Sequence, residues 1–397
     1  MVIQPKVRGF ICTTAHPEGA AVSIAQQISY VKENLQMDNG PKKVLVIGSS
    51  QGFGLASRIA AAFGSGASTL GLFFEKPSVK GRPASAGWYL TAALEKEAEK
   101  AGLYFKSMNG DAFTNEAREK TIETIKADLG QVDMVIYSLA APRRTDPVDG
   151  KAYASVLKPR DNSYANKTVN TQTGEVSIVE VDPANEEEVG NTVKVMGGED
   201  WALWTKALKD AGVLADGCLN LAYSYIGPDV TMPIYRNGTI GAAKDHLEVT
   251  GHELDELMKE IGGRAIVSVN KALVTQSSSA IPIIPLYIGI LYKEMKKLGT
   301  HEGCIEQIVR LFKERLYTEG EIPVDEKGRI RIDDWEMEPE VQQTIADIWE
   351  DVGTENVDEL ADMKGYQEEF LKLFGFGFEG VDYSADIDPE VPIQNMV

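Results

Sequence analysis

The chain has 397 residues, 43% hydrophobic and 25% charged, which excludes a staple-dependent miniature scaffold and wholesale disorder and fits one large domain with attachments, or two domains. Its net charge of −20 is concentrated in residues 318–397, which carry 23 acidic and 5 basic side chains. No basic face is left to hold nucleic acid, so no nucleic-acid partner is expected, and the acidic end reads as solvated surface.

In chain order, residues 1–40 form a mixed N-terminal arm with a helix predicted over Ala21–Leu35. Residues 41–140 alternate short apolar runs with helical stretches. Strands are predicted at Lys43–Ile47, Thr69–Glu75, Leu103–Ser107 and Val132–Leu139, and helices at Leu55–Phe63, Tyr89–Ala101 and Glu116–Leu129. Buried runs of five to eight residues between helices indicate a parallel sheet covered on both faces. Residues 141–190 are polar and rich in turn residues, with β-like pieces at Lys167–Thr168 and Glu175–Val181; they read as an insertion beside the sheet. The rhythm resumes over residues 191–317. A helix over Glu186–Ala211 is followed by strand Cys218–Tyr225, a helix from near Gly241, strand Arg264–Val269, and helices over Ile281–Leu298 and Glu302–Tyr317. Residues 318–397 form an acidic C-terminal extension, packed on the same domain, with one more strand at Arg329–Ile332 and helices after it. The fold class is α/β: a Rossmann-type doubly wound parallel sheet.

Cys12, Cys218 and Cys304 lie far apart and are odd in number, which suits a reduced, cytoplasmic setting. The four histidines, His16, His246, His252 and His301, show no zinc spacing, so no metal site is expected. The opening residues lack the apolar run of a signal peptide. The greasiest stretch, Ile281–Tyr292, holds two prolines and is too short to span a bilayer, so no membrane partner is expected.

The segment Gly48-Ser49-Ser50-Gln51-Gly52-Phe53-Gly54 follows a strand and opens a helix. Small residues let the backbone approach a pyrophosphate, and a helix N-terminus offers unpaired N–H groups. The GxxxGxG form suits the short-chain-dehydrogenase version of the dinucleotide fold. Glu75 ends the second strand, 21 residues beyond Gly54. A carboxylate there accepts from ribose hydroxyls and repels a 2′-phosphate, so NADH is expected over NADPH. Asp111 and Ala112 follow the third strand, and Leu139 and Ala140 lie at the end of the fourth, at carboxyl ends where open α/β sheets bind ligands.

Short-chain dehydrogenases place a lysine four residues after the catalytic tyrosine; here Tyr235 and Lys244 are nine apart. On an unbroken helix nine residues turn through about 900°, which puts the two on opposite faces. Gly238 and Gly241 allow a break. Tyr235 is therefore expected before the helix and Lys244 within its first turns. A nearby ammonium would favour tyrosinate and make the phenol a better donor to a developing oxyanion. From spacing alone, a core-edge tyrosine with a surface lysine is the competing reading. Tyr223 and Tyr225 end the fifth strand on one face, so either could meet a substrate carbonyl. Thr275 and Ser277–Ser279 are either ligand contacts or a helix cap. Arg143 and Arg144 read as a solvated pair at the mouth of the site, or as contacts to coenzyme A phosphates or an acidic carrier protein.

Taken together, the stretches VLVIGSSQGFGLASRIAAAFG, GDAF, YSLAAPRRTDP, KVMGGEDW, AYSYIG, IYRNGTIGAAK, VSVNKALVTQSSSAIP, HEGCIEQI, RIRIDDWE and GYQEEFL resemble, from end to end of the chain, the monomeric NADH-dependent trans-2-enoyl-thioester reductases. These comprise the large single-chain enoyl-acyl-carrier-protein reductases and the trans-2-enoyl-CoA reductases. The resemblance implies reduction of an enoyl-CoA or enoyl-acyl-carrier-protein substrate: hydride goes to C3 and Tyr235 and Tyr225 stabilise the enolate. It implies Tyr235 as proton donor, Lys244 as its catalytic and cofactor partner, and Tyr225 as a substrate contact. It implies NADH contacts from Gly48, Ser49, Ser50, Gln51, Gly52, Phe53, Phe74, Glu75, Asp111, Ala112, Leu139, Ala140, Leu273, Val274 and Thr275, and it suggests a monomer. A flavin has been associated with the C-terminal part of this family; residues 318–397 carry no flavin fingerprint, and none is expected. A ketoreductase on the same fold and an NADH-sensing regulator without turnover are the rival readings.

Overall fold

Seven short runs pair side by side into one parallel sheet in the computed structural model, which describes residues 1–139 and 141–397. The strands of this sheet are β1 (Lys43–Ile47), β2 (Ser68–Phe73), β3 (Phe105–Asn109), β4 (Val132–Tyr137), β5 (Leu214–Ser224), β6 (Arg264–Val269) and β7 (Ile330–Arg331). Their spatial order is β7-β6-β5-β4-β1-β2-β3, with every neighbouring pair parallel. The chain winds outward from β1 to β3, then crosses back to β4 and winds the other way. The strand order therefore reverses between β1 and β4, where doubly wound sheets open a crevice for ligands.

Side-chain alternation divides the core between the two faces. On β1, Val44 and Val46 join one cluster and Leu45 and Ile47 the other, and all four are fully buried. Each such side chain contributes about 1.5–3 kcal/mol relative to exposure. The helices are α1 (Pro17–Asn34), α2 (Gly52–Ser65), α3 (Ala86–Lys100), α4 (Asn115–Thr124), α5 (Glu186–Met196), α6 (Glu199–Asp210), α7 (Thr239–Met258), α8 (Ile284–Leu298), α9 (Cys304–Leu311), α10 (Pro339–Asp351), α11 (Val357–Leu360) and α12 (Met363–Lys372). Side chains of α1, α2, α3, α8 and α9 pack on the first face, and those of α4, α6 and α7 on the second.

Two expectations about helices are corrected. The predicted helix over Glu186–Ala211 is two helices, because Gly197 is extended (φ −78°, ψ −169°) and α6 starts anew at Glu199. A Cβ on Gly198 would stand 2.3 Å from the Thr250 side chain, so glycine is what lets this turn lie against α7. The helix predicted from Ile281 begins only at Ile284, after a short 3-10 turn and Ile283, whose φ of +78° breaks the run. The insertion forms two antiparallel hairpins, Arg143–Thr145 with Ala152–Ala154 and Tyr164–Val169 with Val176–Val181.

The acidic extension is not merely solvated surface. Val341, Ile345, Trp349, Tyr366 and Phe370 are buried in the same cluster as α2 and α8. The extension also reaches both edges of the sheet. Strand β7 pairs with β6 on one edge, and on the other Ser107 of β3 donates to the Asn395 carbonyl and accepts from the Val397 N–H. The buried Glu95 carboxylate takes the N–H groups of Gln394 and Asn395 at 2.7 and 2.6 Å. Deleting residues 394–397 would leave Glu95 unpaired and bare the β3 edge. The expected loss is about 2 kcal/mol or more in urea unfolding; an unchanged midpoint would contradict this account.

Candidate active site

The first βα turn is shaped by what cannot fit beside it. Gly48 has φ +86°, and a Cβ there would fall 2.0 Å from the Ser138 carbonyl oxygen at the end of β4; one on Gly54 would fall 1.9 Å from the Gly48 carbonyl. The backbones of β1, β4 and α2 thus converge at the crevice. Gln51, before α2, makes no side-chain cap, so the helix presents its first N–H groups and the positive end of its dipole to the cavity. That cavity measures about 640 Å³, within the range of small-molecule and cofactor sites.

Of the residues expected to contact a dinucleotide, Gly48, Ser50, Gln51, Gly52, Phe53, Phe74, Glu75, Asp111, Ala112, Leu139 and Thr275 line this cavity. Ser49 does not: it is buried and donates to the Leu72 carbonyl at 3.2 Å. Leu273 lines an adjoining cavity, and Val274 is buried with its N–H on the Tyr292 hydroxyl at 3.0 Å. Ala140 lies outside the described residues. One oxygen of Glu75 accepts from Ser50 Oγ at 2.8 Å, and Asn109 clamps the Glu75 backbone with two bonds of 2.9 Å. The acid is therefore held in place at the rim of the cavity. Among the described residues no group of acidic, histidine or cysteine side chains could hold a metal ion, and no helix is long and apolar enough to cross a membrane.

Tyr235 sits in the turn before α7, and Lys244 in that helix's second turn. The Tyr235 carbonyl accepts from both Gly238 N and Gly241 N at 3.1 Å, folding the segment back on itself. A Cβ on Gly241 would lie 1.8 Å from the Arg236 carbonyl and one on Gly238 2.3 Å from the Ile234 carbonyl. The two glycines thus permit the break that a spacing of nine requires, and both side chains line the same cavity. Tyr225 closes the wall beside them, its ring 4.9 Å from that of Tyr235 at 72°.

Three tyrosines face this space, and their hydroxyl hydrogens are not equally free. Ser57 gives its hydrogen to the Phe53 carbonyl, so the Tyr223 hydroxyl, 2.6 Å from Ser57 Oγ, is the donor there. Tyr225 donates to Glu336 at 3.0 Å. The hydroxyl of Tyr235 and the ammonium of Lys244 have no hydrogen-bond partner among the described residues. Sequence reasoning missed Glu336, whose only signal is an acid inside the otherwise structural run RIRIDDWE.

The electrostatics differ from the expectation that an ammonium would ease ionisation of the phenol. Burial pushes Tyr235 above the usual tyrosine range; Arg236 opposes that shift and Glu336 adds to it. Burial pulls Lys244 down to about 8, partly offset by Glu248. Desolvation dominates both groups, so Tyr235 is a neutral phenol that keeps its proton. The expected arginine pair also separates. Arg143 is exposed at the cavity mouth, whereas Arg144 is 2% exposed and donates to Glu199 at 2.8 Å and to the Lys194 carbonyl. Thr275 and Ser278 exchange backbone-to-hydroxyl bonds of 2.9 and 3.1 Å and cap their own short turn.

A lowered lysine is charged below its pKa and neutral above it. Amine-reactive trace labelling of Lys244 is therefore expected to reach half its maximum near pH 8, against about 10.4 for exposed lysines; a midpoint above 10 would contradict the burial described here.

Family models match almost the whole chain. Residues 2–80 match the NAD(P)H binding domain of trans-2-enoyl-CoA reductase, residues 82–317 the trans-2-enoyl-CoA reductase catalytic region, and residues 324–387 the enoyl reductase FAD binding domain. The chain is 60% identical over 397 residues to the enoyl-(acyl-carrier-protein) reductase (NADH) of Cytophaga hutchinsonii, covering all of both chains. It is 55% identical over 396 residues to the trans-2-enoyl-CoA reductase (NADH) of Ruminiclostridium cellulolyticum, again covering all of both. Among solved structures it is similar to Treponema denticola trans-2-enoyl-CoA reductase in complex with NAD, with TM-score 0.96 and 48% identity over 99% of this chain and 100% of that one.

Proposed function

The chain belongs to the trans-2-enoyl-CoA reductase family, and we propose that it reduces the trans-2 double bond of an enoyl thioester with NADH to give the saturated acyl thioester. The observation that carries this reading is the convergence of Tyr235 and Lys244, through a broken helix start, on the cavity that also holds the glycine turn and Glu75. Residues 41–140 and 191–317 act in it as the two halves of a nucleotide-binding unit.

The site's features suit the dinucleotide. The free N–H groups at the start of α2 meet its pyrophosphate, Glu75 meets the adenosine ribose hydroxyls, and Lys244 the hydroxyls of the nicotinamide ribose. Bound NADH supplies the hydride that goes to C3. As C3 accepts it, the C2=C3 electron pair shifts and negative charge gathers on the thioester oxygen. Tyr235, unpartnered and neutral, donates a hydrogen bond to that oxygen; Tyr225, expected to share that role, has its hydrogen on Glu336 and forms the adjacent wall. A proton from Tyr235 to C2 completes the reduction as the C=O re-forms, and the phenol then regains a proton from solvent. Lys244, charged below about pH 8, faces the same cavity and offsets the negative charge that gathers on the oxygen. A side cavity of about 200 Å³, lined by Leu157, Met196, Ile240, Ile281 and Ile284, receives the acyl chain.

We assign no step to a flavin. The side chains of residues 324–387 do not suit one: Val341, Ile345, Trp349, Tyr366 and Phe370 are already packed into the core. The cavity that Lys327, Gly328 and Arg329 help to line measures about 50 Å³, against about 300 Å³ or more for a cofactor pocket. The chain's own extension pairs with both sheet edges, which supports action as a monomer, and its three free cysteines suit a reducing, cytoplasmic setting.

Tyr235→Phe is expected to lower kcat for crotonyl-CoA reduction at least about 100-fold, while NADH fluorescence titration gives a Kd within about threefold of wild type. Turnover at the wild-type rate would defeat the assignment. Glu75→Ala is expected to raise the KM for NADH about tenfold and to narrow the preference over NADPH. An unchanged ratio of the two kcat/KM values would remove Glu75 from the ribose site.

A further inference from the structure

Glu336 is fully buried, comes from the acidic extension, and binds three separate segments, of which Tyr225 and Ala272 line the site and Tyr287 lies in the core behind it. Its Oε1 accepts from the Tyr225 hydroxyl at 3.0 Å and from the Tyr287 hydroxyl of α8 at 2.6 Å. Its Oε2 accepts from the Ala272 N–H at 2.7 Å, just before Leu273. Tyr287 in turn accepts from Gln342 Nε2 at 3.2 Å, so the hydrogen of Tyr287 is the one directed at the carboxylate. Three donors around two oxygens suit an ionised carboxylate, which accepts only.

This arrangement has a chemical consequence for the pocket. Tyr225 and Tyr235 touch each other and both face the cavity, and a phenol has one hydrogen to give. The hydrogen of Tyr225 is held by Glu336, so only Tyr235 presents a free one. We propose that Glu336 is a positioning residue that sorts the two phenols: by holding the Tyr225 hydrogen it keeps Tyr225 a fixed wall and leaves the substrate oxygen to Tyr235. The proposal rests on the reading that this site binds an enoyl thioester beside Tyr235, and it specifies how Tyr225 takes part.

A glutamine at position 336 has one acceptor oxygen. With that oxygen on the Ala272 N–H, its amide group faces the two tyrosine oxygens as a donor, and both phenol hydrogens are released. The Tyr225 hydrogen then turns to the pocket and competes with Tyr235 for the substrate oxygen, drawing the thioester out of line with the hydride donor.

The test is a double-mutant cycle with NADH and crotonyl-CoA, using wild type, Glu336→Gln, Tyr225→Phe and the double variant. Glu336→Gln is expected to lower kcat about tenfold with KM for crotonyl-CoA within about twofold. In the Tyr225→Phe background, which has no competing hydrogen, the same substitution is expected to change kcat by less than about twofold. An equal loss in both backgrounds, or no loss in either, would overturn the proposal. Should Glu336→Gln fail to fold, Glu336→Asp, which keeps the charge but withdraws it from Tyr225 by one methylene, enters the same cycle with the same criteria. The wild-type rate with crotonyl-CoA tests the proposed reaction itself; the ratio of the two substitution effects tests Glu336, and can be read with any acceptor that the site reduces with NADH.

Discussion

The site depends on a fold-back of the main chain between Ile234 and Gly241. A tyrosine and a lysine nine residues apart cannot share a helical face. They share a cavity here because the Tyr235 carbonyl takes two N–H groups from the segment that follows it, and because nothing but hydrogen fits at two α-carbons along the way. Gly241 is the tighter of the two, with a carbonyl where its side chain would begin. The remaining parts of the site are arranged around that turn: the glycine loop after β1 opposite, the wall of tyrosines beside it, and the apolar side cavity beyond.

Burial then sets the chemistry. The same desolvation acts on both members of the pair in opposite senses, raising the phenol and lowering the amine. A neutral phenol with its hydrogen free is a donor poised for charge that has yet to form, and it gains most when that charge appears. The other phenols of the wall are engaged, Tyr223 by Ser57 and Tyr225 by Glu336. Discrimination among chemically identical groups thus comes from the acceptor each one meets, more than from proximity to the cavity.

Much of this was legible in the residues. Strand β1, the glycine turn and α2 follow from a β-branched run ahead of small residues, and the break before α7 from two glycines in a pattern that could not otherwise bring Tyr235 and Lys244 together. The split of α5 from α6 was hidden, because Gly197 and Gly198 sit in a helical pattern and only the close approach of Thr250 explains them. The acidic extension was expected to pack on the same domain, but reading its charge as solvated surface hid how much of it is core. Charge counts register the side chains turned to water, while the buried faces, Val341, Ile345 and Trp349 on α10 and Tyr366 and Phe370 on α12, recur every four residues among those charges. Glu336 was invisible for the same cause: an acid among acids, distinguished only by the tyrosines that reach it from elsewhere in the chain.

The placement of the extension has a consequence for biosynthesis. Residues 1–317 are made before residues 318–397, and only the latter supply the partners of the β3 and β6 flanks and the carboxylate of the pocket wall. During that interval the growing polypeptide carries a complete glycine turn and an incomplete reaction chamber. The β3 edge and the wall beside Tyr225 are completed only when residues 395–397 reach Ser107 and Glu336 reaches Tyr225. A chain cut short after residue 317 would therefore lack the segments that cover both flanks of the sheet.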